Sequence, residues 1–331
     1  MGTIIPVFIP HAGCPHQCVF CNQKTISGQK ENGLEAAKEQ IEKYRQWTKS
    51  SVDNEIAFYG GSFTALPKKL QLELLELGKG YLERGLAGAL RLSTRPDYID
   101  PEELELLKRY KVKTVELGAQ SLDDEVLRLA ERGHGAQAVA KAVALLKEYN
   151  FTVGLQLMVG LPGENKESFY ATVGRAVALK PDLVRIYPLL VVRDTPLAKD
   201  FLAGRYRPLT LEEAVEESYY ALNAFQRADI SVIRLGLQPD EELQAEGNIL
   251  AGPFHPAFGE LVKSYGYKVN VEKLIAKLPV GYYTMVITLP RTLASIVRGQ
   301  KNSNIKAWEK DGRVKVIIQE GEKFEVSFHD R

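Results

Sequence analysis

Residues Ile9-Pro-His-Ala-Gly-Cys14-Pro-His-Gln-Cys18-Val-Phe-Cys21-Asn22 follow directly on a short apolar run, Ile4–Ile9, and hold every cysteine of the 331-residue chain. A disulfide scaffold uses an even, dispersed set of cysteines, so these three are thiols kept for chemistry. The spacing is C-x3-C-x2-C. Three thiolates in one tight loop can hold three corners of a [4Fe–4S] cube, which leaves the fourth iron open to a small molecule. A catalytic metal site needs such an open position; a structural site does not. The alternatives are less complete. Structural zinc would draw on His11 or His16 and lacks a second C-x2-C knuckle. A C-x-x-C redox pair leaves Cys14 without a role.

Outward from this loop, short β-rich runs alternate with helical stretches. Strands are expected at Ile4–Ile9, Glu55–Tyr59, Ala89–Ser93, Val112–Leu117, Thr152–Val159, Leu183–Leu189 and Ser231–Leu235. Helical patterns fill the gaps at Leu34–Lys49, Lys68–Arg84, Asp123–Glu131, Ala136–Tyr149, Lys166–Leu179 and Leu211–Ala228. Asp100-Pro-Glu-Glu103 reads as a capped helix start, and Thr210 with Glu213 has capping-box spacing. This alternation predicts an α/β fold with a parallel sheet. With at least six βα units, a closed or partly closed (β/α) barrel is favoured over an open doubly wound sheet. No Gly-rich phosphate loop of a nucleotide fold occurs.

C-x3-C-x-Φ-C after the first barrel strand, with Phe20 as Φ, resembles the signature of the radical SAM superfamily. That resemblance implies a partial, TIM-like (β/α) barrel over residues 1–237. It implies a [4Fe–4S] cluster on Cys14, Cys18 and Cys21, whose open iron chelates S-adenosylmethionine and cleaves it to a 5′-deoxyadenosyl radical. Phe20 then lies near the adenine, or simply packs in the core. Gly60 and Gly61, with Ser62 where the superfamily usually has Glu, resemble the segment that binds the methionine amino group. At the next strand ends, Arg95 can pair with the cofactor carboxylate, and Glu116 and Gln120 can bond ribose hydroxyls. The competing reading is a buried ion-pair layer, for example Arg95 with Glu116. Gly160, opening Gly160-Leu-Pro-Gly163, ends the strand that backs the adenine in the superfamily.

Several segments narrow the resemblance. Glu116–Ser121, Arg132-Gly-His134, Leu157–Gly163, Arg185-Ile-Tyr-Pro188, Asp194–Leu197, Gly204-Arg-Tyr206 and Arg234–Gln238 are similar to the radical SAM domain of the Elongator catalytic subunit. That family modifies the wobble uridine of tRNA and carries an acetyltransferase domain. Only about 90 residues follow the matched part here, too few for that domain. The expectation is a short, bacterial-type relative without it. Among substrate-side candidates, His134 can move a proton or cap a helix end, and Tyr187 can face the radical site or pack.

After residue 237 the pattern breaks. Residues 238–280 read as an irregular connection with helical patches at Glu260–Tyr265 and Val271–Leu278. Residues 281–331 read as a small α+β domain, with strands at Tyr282–Leu289, Val314–Gln319 and Lys323–Phe328 and a helix at Arg291–Arg298. The chain as a whole is near neutral, with 43 Lys+Arg against 42 Asp+Glu. Residues 291–315 are locally basic, with seven Lys/Arg against Glu309 and Asp311. Arg291, Arg298, Lys301 and Lys306, interleaved with Asn, Gln and Ser, suit phosphate and sugar contacts. No apolar run approaches the ~20 residues of a membrane span. The start of the chain lacks a basic leader and cleavage site, so a cytoplasmic protein is expected. The combined expectation is a radical SAM enzyme acting on tRNA or rRNA, reduced by a flavodoxin or ferredoxin. A coproporphyrinogen-oxidase-like enzyme of small metabolites and a non-catalytic, metal-stabilised RNA-binding protein are the rivals.

Overall fold

The structure is a computed structural model that describes residues 2–10, 13–23, 25, 33–237 and 241–331. Seven parallel strands form the main sheet: β1 (Ile4–Ile9), β2 (Glu55–Gly60), β3 (Ala89–Thr94), β4 (Val112–Gln120), β5 (Thr152–Val159), β6 (Leu183–Pro188) and β8 (Ser231–Leu235). Their order in the sheet is their order in the chain, apart from the two-residue β7 (Val191–Val192), which lies outside it. A doubly wound sheet reverses direction at a switch point. Here there is none, so right-handed crossovers put the main crossover helices on one face and the sheet curls into a half-barrel.

The two faces differ accordingly. On the helix side, Ile56, Phe58, Leu90, Leu92, Val115, Leu117, Val153 and Leu155 pack into the main core. On the inner side the same strands carry Tyr59, Arg91, Glu116 and Arg185, joined in one ion cluster. Arg91 Nη1 donates to Glu116 Oε1 at 2.8 Å, and Arg91 Nε donates to Glu55 Oε2 at 2.7 Å. Arg185 binds both Glu116 oxygens, and Tyr59 OH donates to Glu116 at 2.9 Å. Burial alone would raise the Glu116 pKa, but the two guanidinium groups hold it below the usual value. The polar layer expected around Arg95 and Glu116 therefore exists with different members: Glu116 pairs with Arg91 and Arg185, and Arg95 pairs with Asp97. Arg95 sits past the end of β3, where a partner two residues away is nearer than the middle of β4. A cavity of about 330 Å³ opens beside this cluster at the starts of β2–β5, lined by Asn54, Glu55, Arg91 and Thr114.

Local signals hold where they were strong. Asp100 caps α3 (Pro101–Arg109) by accepting from Glu103 N, and Thr210 and Glu213 form the capping box of α8 (Leu211–Arg227). Other helices of the barrel, α1 (Leu34–Arg45), α2 (Lys68–Glu83), α4 (Asp124–Leu129), α5 (Ala136–Glu148) and α6 (Lys166–Ala178), fall within the expected stretches. The short α7 (Pro196–Leu202), capped by Thr195, was not expected.

Beyond the barrel, β7 pairs antiparallel with β9 (Ile249–Ala251), which follows a four-residue helix, α9 (Glu241–Gln244). The two helical patches expected at Glu260–Tyr265 and Val271–Leu278 are one continuous helix, α10 (Phe258–Ile275). Its apolar residues serve two partners: Phe258 and Val262 pack with Val215 and Leu222 of α8, while Tyr267, Val271 and Ile275 pack on the C-terminal sheet. No single stripe runs its length, so the periodicity breaks in the middle. That sheet has the order β11 (Val314–Glu320), β10 (Tyr283–Leu289), β12 (Glu325–Asp330), with β10 parallel to β11 and antiparallel to β12. The helix expected over Arg291–Arg298 is a 3-10 turn followed by α11 (Ala294–Arg298), and a further helix, α12 (Ser303–Trp308), precedes β11.

Asn304 locks this C-terminal layer. Its Nδ2 lies 3.1 Å from Ser264 O on α10 and 3.0 Å from Val297 O on α11. Asn304→Ala removes the donor that ties α12 to α10 and α11 and is expected to cost about 1–3 kcal/mol. Chemical denaturation followed by circular dichroism checks this, and a change within about 0.5 kcal/mol contradicts it.

Candidate active site

β1 delivers the cysteine loop to the C-terminal edge of the sheet, where barrel folds carry their chemistry. Glycines let the loop close in. At Gly13 (φ +72°) a Cβ would fall 2.1 Å from Ser62 O, and at Gly60 (φ +108°) it would fall 2.9 Å from Ile9 O. Gly61 N donates to Ile9 O at 3.0 Å. The Gly60-Gly61-Ser62 turn is thus the floor of the cysteine loop. Ser62 is buried, and its hydroxyl is engaged with Thr94 Oγ1 at 2.9 Å and Arg95 N at 3.3 Å.

The other wall is the segment between α4 and α5, and its centre is Arg132. The Arg132 Nη1 donates to Cys18 Sγ at 3.0 Å, and Nη2 donates to Gly118 O at 2.5 Å and lies 3.3 Å from His134 Nε2. The Arg132 carbonyl accepts from Arg95 Nη2 at 2.6 Å, and Arg95 is held in turn by Asp97. Arg132 Nε is buried without a partner among the described residues. His16 is exposed and lies against Gly133, where a Cβ would meet its ring at 2.4 Å. Burial, reinforced by the adjacent Arg132 charge, lowers the His134 pKa to about 4, so this imidazole is neutral and accepts from the guanidinium. Arg132 was not singled out from sequence as a site residue. A cation beside Gly-His in a loop after a barrel strand was the available signal.

Cys18 and Phe20 are buried with Val126, Ala130, Met158, Leu161 and Leu189 in an apolar cluster, against which Cys21 and Tyr187 also pack. Phe20 and Tyr187 therefore share one apolar wall at the mouth. Gln120 ends β4 at φ +66°, a strained backbone for a residue other than glycine, and accepts from Gln156 Nε2 at 3.3 Å. Gly160 (φ +89°) ends β5 and accepts from Tyr206 OH at 2.6 Å, while its N–H donates to Glu164 at 2.7 Å. Gly60, Gly61, Ser62, Arg95, Gln120, Gly160, His134 and Tyr187 thus all lie at the edge that carries the cysteines. Glu116 does not: it sits one layer deeper in the ion cluster. His11 and Gln238 lie outside the described residues.

The donor set, three thiols on one loop with a buried guanidinium on one of them, fits a thiolate-bound cluster. Desolvation raises the pKa of Cys14, and raises that of Cys21 to about 12, with the neighbouring thiolates adding to both. Three charges this close need a strongly positive group among them. Among the described residues no three His, Cys, Asp or Glu side chains converge on one ion position. A cube that takes one thiolate at each of three corners does not require such convergence. Arg132 Nη1 supplies a buried donor on one of these sulfurs, that of Cys18.

Comparisons with known proteins agree with this geometry. The profile of the radical SAM superfamily matches residues 8–176, and that of the Radical_SAM C-terminal domain matches residues 181–268. A tRNA uridine(34) acetyltransferase of Methanocaldococcus infernus is 37% identical over 136 residues, which are 40% of this chain and 26% of that protein. Human Elongator complex protein 3 is 27% identical over 254 residues, covering 62% of this chain and 46% of that one. The chain thus spans less than half the length of either relative. The solved archaeal Methanocaldococcus infernus Elp3 with an N-terminal deletion superposes with a TM-score of 0.63 at 25% identity, covering 81% of this chain and 63% of that one. Among the described residues no helix is long and apolar enough to cross a membrane.

Glu164 offers a test of how tightly the β5 turn is packed. Burial raises its pKa to about 8 against the pull of the Gly160 and Leu161 N–H groups. The folded chain thus holds a proton that an unfolded carboxyl loses near pH ~4.3. The stability this contributes is full below that pH and is lost as pH rises through about 8. Glu164→Gln keeps an acceptor for the turn but cannot ionise. The melting temperature of the native chain should therefore fall relative to the variant between pH 5 and pH 8.5, and a constant difference refutes the burial argument.

Proposed function

The chain belongs to the radical SAM superfamily, and from that premise we propose that it is an RNA-modifying enzyme, with tRNA the favoured substrate. Members of the superfamily bind a [4Fe–4S] cluster and S-adenosylmethionine. The observation that carries the reading is the loop of Cys14, Cys18 and Cys21, closed between the Gly60–Ser62 turn and Arg132 at the strand ends. These cysteines would hold the cluster, which when bound supplies the electron that cleaves S-adenosylmethionine to methionine and a 5′-deoxyadenosyl radical.

The chain's own residues do the rest. Arg132 donates to the Cys18 sulfur, which draws charge off a ligand and favours the reduced state. The neutral His134 keeps that guanidinium in place without a second positive charge. Phe20, Met158 and Leu161 form the apolar wall against which an adenine would rest, and they keep water from the radical. The half-buried Gly60-Gly61 turn would receive the amino group of a bound methionine, and Gln120 would bond the ribose. Tyr187, which packs on the same apolar cluster, would border the substrate. An external one-electron donor of flavodoxin or ferredoxin type completes the system.

RNA as substrate is supported by the relatives whose names state tRNA chemistry and by the basic segment carrying Arg291, Arg298, Lys301 and Lys306. All four side chains are exposed, and none forms an ion pair with another described residue.

Anaerobically reconstituted protein with dithionite and S-adenosylmethionine should release 5′-deoxyadenosine, and Cys18→Ala should reduce release to background. A native protein that takes up iron yet releases none contradicts the catalytic reading. Nucleosides from tRNA of a deletion strain should lack a modification present in the parent. An unchanged nucleoside profile of total RNA refutes the RNA substrate.

A further inference from the structure

The C-terminal layer has a topology that the barrel chemistry does not require. From β10 the chain runs strand, helix, helix, strand: β10, α11, α12, β11, with β10 central and parallel to β11 and with α10 packed beside both helices on one face. The two short helices meet at Gly299-Gln-Lys-Asn302. Gly299 (φ +71°), Lys301 (φ +53°) and Asn302 (φ +61°) all have left-handed backbone. A Cβ at Gly299 would also strike Ser303 Oγ at 2.4 Å, so the first position requires glycine. Asn302 adopts the conformation that a glycine would otherwise supply. Strand–helix–helix–strand with a Gly-x-x-Gly turn between the helices is the KH arrangement, in which that turn clamps the backbone of about four unpaired nucleotides.

The charge agrees. Arg298 and Lys301 flank or occupy the turn, Lys306 lies one helical turn beyond, and all are exposed. Buried Asn304 fixes the turn from below, through α10 and α11.

The turn is also tied to the catalytic edge. The side-chain amide of Gln300 lies 3.2 Å from His255 Nε2. His255 belongs to the Gly252-Pro-Phe-His-Pro segment, and Gly252 packs on Leu189 and Leu190, just past the end of β6. Nearby, Arg193 N donates to Asn248 O at 2.9 Å, and Arg193 O accepts from Asn22 of the cysteine loop at 3.1 Å. A continuous path of packed segments thus joins the turn to the cysteines along one rim.

We propose that residues 258–331 form a KH-like module whose Gly299–Asn302 turn grips single-stranded RNA and presents it at the rim of the half-barrel. This rests on the RNA-directed reading above and adds to it the form of the RNA and the residues that hold it. The unpaired loop or end of a structured RNA is the substrate class this selects, because a duplex cannot thread its backbone through such a turn.

The test is fluorescence anisotropy of the full chain with a short labelled single-stranded RNA, the same sequence as DNA, and a duplex RNA, at several salt concentrations. The native protein should bind the single-stranded RNA most tightly. The double change Gln300→Asp with Lys301→Asp puts carboxylates where phosphates pass and should weaken binding about tenfold or more. Lys301→Ala should lower the slope of log K against log salt by about 0.7. Asn302→Gly, which preserves the positive φ, should bind within about twofold of native. Lys141→Asp, on the outer surface of α5, should leave binding unchanged. Unaltered melting curves and iron content show that each variant is folded. Native-like binding by the double variant, or preference for the duplex, overturns the proposal while leaving the RNA reading intact. No binding to any RNA, together with an unchanged nucleoside profile in the deletion strain, overturns both.

Discussion

One buried guanidinium organises the mouth of this protein. Arg132 reaches the Cys18 sulfur, the Gly118 carbonyl at the end of β4 and the His134 ring, and its own carbonyl receives Arg95 from beyond β3. Three chain segments far apart in sequence, the cysteine loop, the end of β4 and the stretch after β3, therefore meet at this one residue. A cation buried this deeply is tolerated only when its donors are met, and leaving one unmet costs about 1–3 kcal/mol. Among the described residues its Nε has no partner, while its Nη1 is met by the Cys18 sulfur.

The half-barrel explains why that mouth is open and polar. Sequential strand order sends the main crossover helices to the outside, so the inner face is not covered by a second apolar layer. It carries instead the Tyr59–Arg91–Glu116–Arg185 cluster, one layer below the strand ends that bear the cysteines. The C-terminal layer continues this logic, because α10 packs its first half on the barrel helix α8 and its second half on the small sheet. That shared helix fixes the basic turn relative to the rim.

Much of this was legible in the residues. The cysteine spacing marked the loop after β1 as the candidate site, and runs such as Ile4–Ile9 and Thr152–Val159 marked strands because their length and composition admit little else. The caps at Asp100 and Thr210 were readable because capping is local. What could not be read depends on contacts between distant segments. Nothing near Glu116 says that its partners are Arg91 and Arg185, since that choice follows from strand register. Arg132 stood only as part of Arg132-Gly-His134, because its bonds to Cys18 and Gly118 and from Arg95 join segments distant in sequence. α10 seemed to be two pieces because its halves answer to different cores. The turn at Gly299–Asn302 showed as a basic stretch, but its strand–helix–helix–strand setting emerges only when β10 is seen to pair with β11.

The claim on which the account rests is that three cysteines leave one iron free for the cofactor. The most direct measurement is the electron paramagnetic resonance spectrum of the anaerobically reconstituted, reduced protein, before and after addition of S-adenosylmethionine. The account predicts a reduced [4Fe–4S] signal whose g values shift on addition, because the cofactor's amino and carboxylate groups join the open iron. A signal indifferent to S-adenosylmethionine, or a protein that takes up zinc and no iron, contradicts it.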